Sequence, residues 1–183
     1  KRAQWIALLI IAGLGARVSA QDRAPAATSA ASIRRPVATA SRVTGPPVID
    51  GRLDDEGWRN AALLTGLVQA EPQEGAPASE QTDIRIIFDN LAVYVGVTLH
   101  DPDTSRIVVT DKRRDSELGG QDSFQIIFDT FHDRQNGFVF GTNAEGIQYD
   151  AQVRSEGAAL SSWDGSWDVK TQVGEGEWTA EFR

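Results

Sequence analysis

From residue 82 onward, apolar and polar positions alternate with a period of two. Ile84, Ile86 and Phe88 share one face of a run that starts at Asp83. The next run places Val93, Val95, Val97 and Leu99 on one face and Tyr94, Thr98 and His100 on the other. This repeat is that of half-buried strands. Asp89-Asn90 between the runs is turn chemistry, so 84–88 and 92–100 are expected to pair as an antiparallel hairpin. Further strands are expected at 106–110, 123–128 (Phe124, Ile126, Phe128), 137–142 (Phe138, Phe140), 147–153, 166–172 and 178–182, with turns at 143–146 and 174–177. Only 54–63 has helical character, and it is short. Many short strands with Gly, Asn and Asp turns, no βαβ rhythm and no internal repeat predict an all-β fold. The expected architecture is an antiparallel β-sandwich of jelly-roll or immunoglobulin-like type, with one short helical turn near 54–63.

The first 45 residues follow another pattern. Lys1-Arg2 is a basic start, Trp5 to Leu14 is almost unbroken apolar sequence, and Val18-Ser19-Ala20 before Gln21 is a small-x-small cleavage pattern. This is a secretory leader, 1–20, and its apolar run is shorter than the roughly 20 residues that span a bilayer. Residues 21–45 mix Ala, Ser, Thr, Pro and Arg without periodicity and read as a linker. The sandwich is then expected over 46–183. The chain opens without methionine, and Trp178 to Arg183 alternates like a strand and stops without a turn. Both ends therefore read as cut, with a C-terminal continuation expected. Export places the protein in the periplasm, at the outer membrane or outside the cell.

Composition narrows the function. The 183 residues contain no cysteine and no methionine. That excludes disulfides, thiol nucleophiles and cysteine metal centres. The net charge of −8 becomes −14 from Gly45 onward, where 11 basic residues face 25 acidic ones. A domain so acidic repels phosphate backbones, so nucleic acid is a poor partner and calcium or a neutral ligand a better one.

Tryptophan supplies the first candidate site, because a flat indole stacks on the apolar face of a pyranose while polar groups take its hydroxyls. Trp58 follows a short strand and turn into a helical turn that would throw its indole onto the core, Trp178 alternates in phase with Ala180 and Phe182, and both read as structural. Trp163 and Trp167 flank Asp-Gly-Ser in a polar loop, and they are the candidate carbohydrate contacts. Asp101, Asp103, Asp122 and Asp129 fall at strand ends, where loops from one edge of a sandwich can gather the hard oxygens that calcium requires. No EF-hand spacing accompanies them. For catalysis, paired carboxylates or His100 or His132 as a general base could serve, but nothing in the sequence marks a pair, and there is no nucleophile-elbow, zincin, phosphate-loop or dinucleotide motif. No nucleotide cofactor is expected.

The segment Val48-Ile-Asp-Gly-Arg-Leu-Asp-Asp-Glu-Gly-Trp58 resembles the opening motif of carbohydrate-binding module family 9 and the wider DOMON-like sandwiches. Ile84 to Phe88, Ala92-Val-Tyr-Val-Gly96, Asp122-Ser-Phe-Gln-Ile-Ile-Phe-Asp129 and Trp178-Thr-Ala-Glu-Phe182 are similar to that family's later strands, in order. The resemblance covers about residues 46–183. It implies a sandwich that binds oligo- or polysaccharide, attached to xylanases and related O-glycosyl hydrolases in polysaccharide catabolism, with structural calcium and a pair of tryptophans clasping sugar. Through Phe138-Val-Phe-Gly-Thr-Asn143, Gly146 and Asp150 the chain further resembles the N-terminal modules of large bacterial cell-envelope proteins. In these the module precedes a region like an outer-membrane barrel, which implies a ligand- or partner-binding domain with no sugar site. Haem-binding DOMON relatives use methionine and histidine, and the absence of methionine argues against haem.

Overall fold

The alternation at 123–128 is realised residue for residue as a strand, and the elements around it assemble two sheets. A computed structural model describes residues 36–155 and 159–183. The leader and the first part of the linker lie outside the described residues. The elements are β1 (Ser41–Arg42), α1 (Glu56–Asn60), β2 (Leu63–Leu64), β3 (Thr82–Phe88), β4 (Val93–His100), a 3-10 turn (Thr104–Arg106), β5 (Ser123–Phe128), β6 (Gly137–Asn143), β7 (Tyr149–Val153), β8 (Val169–Val173) and β9 (Glu177–Phe182).

The larger sheet runs β1-β3-β4-β9-β8, with β2 also paired to β3, and the smaller is the meander β5-β6-β7. Every pairing is antiparallel except β1 with β3. The chain thus crosses from the large sheet to the small one after β4 and returns so that β9 lies beside β4. The fold is a β-sandwich, all-β as the alternation predicts.

Two apolar layers follow from the strand period. Ile84, Val95, Val97, Val169, Trp178, Ala180 and Phe182 point from the large sheet onto Phe124, Ile126, Phe128 and Phe140 of the small one. The opposite face of the large sheet is also covered. There Ile87 and Tyr94 pack with Trp58 under Val43, Ile49 and Leu53. The motif Val48 to Trp58 therefore forms a cap, a third layer over the large sheet.

Gly96 in β4 makes room for that cap, since a Cβ there would come within 2.6 Å of Leu53 and 3.1 Å of the Trp58 indole. The fully buried Trp58 donates its indole N–H to Glu181 Oε1 at 2.8 Å, and the backbone N–H groups of Asp50 and Gly51 donate to Glu181 Oε2 at 2.8 and 2.7 Å. Burial pushes the Glu181 carboxyl above its ordinary value, against the opposing effect of these three donors.

Three sequence expectations are corrected. Residues 106–110 are not a strand: the Val108 and Thr110 N–H groups bond to the side chains of Asp122 and Gln121, which replace a partner strand. The linker does not run to residue 45, because Ser41–Arg42 pair with Ile87–Phe88 and the Val43 N–H donates to the Phe88 carbonyl at 2.9 Å. The helical turn ends at Asn60, and Leu63–Leu64 belong to the sheet.

Candidate functional site

At one end of the sandwich the inner faces of the two sheets diverge into a groove of about 280 Å3. The strand period builds its walls. Val93 and Val95 come from β4, Phe182 from the end of β9, Ile126 and Phe128 from β5, and Phe138 and Phe140 from β6, with Thr130, Trp163, Ser166 and Trp167 at the rim and back. Phe128 pairs with Phe138 and Ile126 with Phe140 across the β5–β6 ladder. Both candidate carbohydrate contacts, Trp163 and Trp167, thus line one groove.

They occupy it differently. The Trp167 ring stacks on Phe182 with centroids 5.9 Å apart and planes 5° from parallel, and it meets Phe140 edge-on at 5.3 Å. It is packed against the central core. Its indole nitrogen is the one buried side-chain N or O atom among the described residues without a hydrogen-bond partner, an arrangement that costs about 1–3 kcal/mol. Trp163 sits at the rim, half-buried, against Phe138 at 4.6 Å and edge-on to Phe140 at 5.9 Å. Its six-membered ring lies over Gly165, where a Cβ would come within 2.8 Å of it. Phe140 meets both indoles, so the two tryptophans form an aromatic row with it.

The polar complement is small: the Thr130 and Ser166 hydroxyls, with Arg183 at one lip. The Arg183 guanidinium acts on the Tyr94 hydroxyl and Asp89. No residue lining the groove is a carboxylate or a histidine.

Sequence reasoning missed Arg114, and it met Asp150 only as a strand-end carboxylate and within a resemblance. The fully buried Asp150 accepts the Gly165 N–H at 2.6 Å and Arg114 Nη2 at 2.9 Å. On β7 it stands opposite Phe140, and the Gly165 N–H, from the segment between the two tryptophans, closes on it.

The four candidate metal ligands do not converge. Asp101 Oδ1 accepts the Asp103 N–H at 2.8 Å, and Asp103 Oδ1 accepts the Ser105 hydroxyl. Asp122 Oδ2 accepts the Val108 N–H, whereas Asp129 accepts the N–H groups of Asp133 and Arg134. Asp122 and Asp129 bracket the whole of β5, a separation of about 20 Å at the rise of a strand. Among the described residues no three His, Cys, Asp or Glu side chains form a metal-holding group. Since these carboxylates already close their own loops, EDTA is expected to leave the melting temperature of the purified protein unchanged. A fall reversed by calcium would show a native-state metal, because a ligand bound only by the folded form raises apparent stability.

No family model matches the chain, and no curated protein does. Among solved structures, it is similar to a family 9 carbohydrate-binding module from Caldicellulosiruptor kristjanssonii in complex with cellotriose. That match has a TM-score of 0.50 and 18% identity, over 79% of this chain and 66% of that one. A family 9 module from the same organism in complex with glucose matches with a TM-score of 0.51 and 18% identity, over 78% of this chain and 67% of that one. What this likeness shows is the fold, a β-sandwich of the architecture seen in these family 9 modules. The chain spans about two thirds of the length of these modules.

Proposed function

We propose that this chain is a non-catalytic carbohydrate-binding module that takes a neutral sugar in the aromatic groove, with Trp163 as the stacking platform. The carrying observation is the Trp163 indole, held at the rim on Phe138, beside a mostly apolar groove with hydroxyls at Thr130 and Ser166. That combination is the division of labour a pyranose requires: carbon–hydrogen face on the ring, hydroxyls on a few polar groups. Trp167 forms the back wall, its ring stacked on Phe182. The lining offers no acid–base pair for glycoside hydrolysis, which supports binding rather than turnover. It offers no carboxylate to repel a ligand, and its one cation, Arg183, stands at the lip near Asp89 and the Tyr94 hydroxyl, which supports a neutral sugar. The fold shared with modules captured with cellotriose and glucose points the same way. The leader-like Lys1 to Ala20 supports export, and such a module would hold a larger secreted or envelope chain on polysaccharide.

Thermal melting with glucose, cellotriose, xylotriose and an oligouronate tests this reading. At ligand about a hundredfold above Kd, a neutral oligosaccharide is expected to stabilise the fold by about 2.7 kcal/mol, a rise of several degrees, with no shift from the uronate. A panel without any shift would remove the sugar reading. It would favour a protein partner at the same end of the sandwich, where Leu91 and Phe131, neighbours in sequence of the groove residues Val93 and Thr130, are 85% and 67% exposed.

A further inference from the structure

We propose that Arg114 is the positioning residue of the Trp163 platform, an inference that rests on reading the groove as a sugar site. Residues 161–168 carry both tryptophans but belong to no strand, and their backbone is tied only near the ends, by the Trp163 N–H on the Leu160 carbonyl at 3.2 Å and the reciprocal Asp168–Arg183 pair at 3.0 and 2.9 Å, which leaves 164–167 between them to side chains. Arg114 supplies the anchorage from outside. Its Nη2 bonds to Asp150 at 2.9 Å and also to Asp164, the residue after Trp163. Asp150 passes the restraint on by accepting the Gly165 N–H at 2.6 Å. Arg114 Nη1 donates to Gln148 Oε1 at 2.6 Å, and Gln148 Nε2 donates to the Trp167 carbonyl at 2.7 Å. One guanidinium therefore holds both ends of the segment between the two indoles, using the fork geometry that lysine lacks.

Arg114 is itself held. The next residue, Asp115, sits at a φ of 60° and donates its N–H to the Gln148 carbonyl at 2.9 Å. A non-glycine residue in this region is uncommon and persists only where its surroundings fix it. With Gly165 pressed against the Trp163 ring, movement of the 164–165 backbone moves the platform.

The test compares Arg114→Ala and Arg114→Lys in the whole chain, each with and without Trp163→Phe, so that difference spectra isolate Trp163. In Arg114→Ala the Trp163 emission is expected to move to longer wavelength and to become more accessible to acrylamide, with affinity for cellotriose falling about tenfold, the change that follows from losing one charge-assisted restraint. Arg114→Lys, which reaches Asp150 but cannot fork to Gln148, is expected to restore part of both. If Arg114→Ala does not fold, Gln148→Leu makes the same comparison by cutting only the arm to Trp167. A Trp163 spectrum unchanged in these variants, or an equal change in the Trp163→Phe background, would overturn the proposal. Should the wild-type protein bind no sugar, the spectral comparison still decides the role of Arg114, and the reading of the groove alone is lost.

Discussion

Replacing Glu181 with alanine is expected to cost at least about 2 kcal/mol, since each buried donor left without an acceptor costs about 1–3 kcal/mol and the Trp58 indole and the Gly51 amide are both buried. Three donors depend on this one carboxyl: the Trp58 indole and the Asp50 and Gly51 amides. Folded domains hold about 5–15 kcal/mol in all, so the loss is a large fraction of the total. Glu181→Gln is expected to be intermediate, because its amide oxygen can still take the two backbone N–H groups while its NH2 then faces the Trp58 N–H, donor against donor. Urea midpoints of the three proteins check the order. A midpoint of Glu181→Ala equal to wild type would mean that the cap does not depend on this carboxyl.

The same residue gives a pH dependence of known sign. Burial raises the folded carboxyl above 4.5, so over the interval between 4.5 and the raised value the folded state holds more proton than the unfolded one. Stability from this group is then full below 4.5 and declines as pH rises through the folded value. The advantage of wild type over Glu181→Gln should narrow across that interval as pH increases.

Trp163→Ala carries the largest expected effect on binding. A tryptophan at the centre of a ligand contact is commonly worth 2 kcal/mol or more, so a loss of about thirtyfold or greater in affinity is expected. The stability cost should be small, about 0.5–1.5 kcal/mol for the lost pairing with Phe138, because Trp163 stands at the rim. Trp167→Ala should do the reverse first. It removes a ring stacked on Phe182 and abutting Phe140, and a core tryptophan cut to alanine costs about 3–5 kcal/mol. Calorimetric titration with cellotriose and urea melts of both variants separate the two roles.

How far the sequence reveals this depends on how local each cause is. The period of two in Phe124, Ile126 and Phe128 reproduces β5 to the residue, because alternating burial is a property of the strand itself. Ile107, Val108 and Val109 show the limit: their composition is that of a strand, yet side chains of Gln121 and Asp122 occupy the amides that would have made one. The two-residue strands β1 and β2 have no pattern to read, since only their docking on β3 defines them. Glu181 lies opposite Trp178, Ala180 and Phe182 in the alternation, which in a two-layer sandwich is the solvent side. Its burial becomes legible only once Val48 to Trp58 is recognised as a covering layer, and the missing side chain at Gly96 is the trace of that layer in the sequence. At the groove, Trp163 was legible as an indole without an apolar register. Arg114 was not, because within the charged run Lys112 to Asp115 nothing distinguishes a solvated arginine from one that reaches Asp150.

The most direct test is intrinsic tryptophan emission during titration of wild type and Trp163→Ala with cellotriose. The expected result is a saturable change in wild type that is lost, or displaced to at least about thirtyfold higher concentration, in the variant. A wild-type emission that does not respond, or an equal response in both proteins, would contradict sugar binding on Trp163.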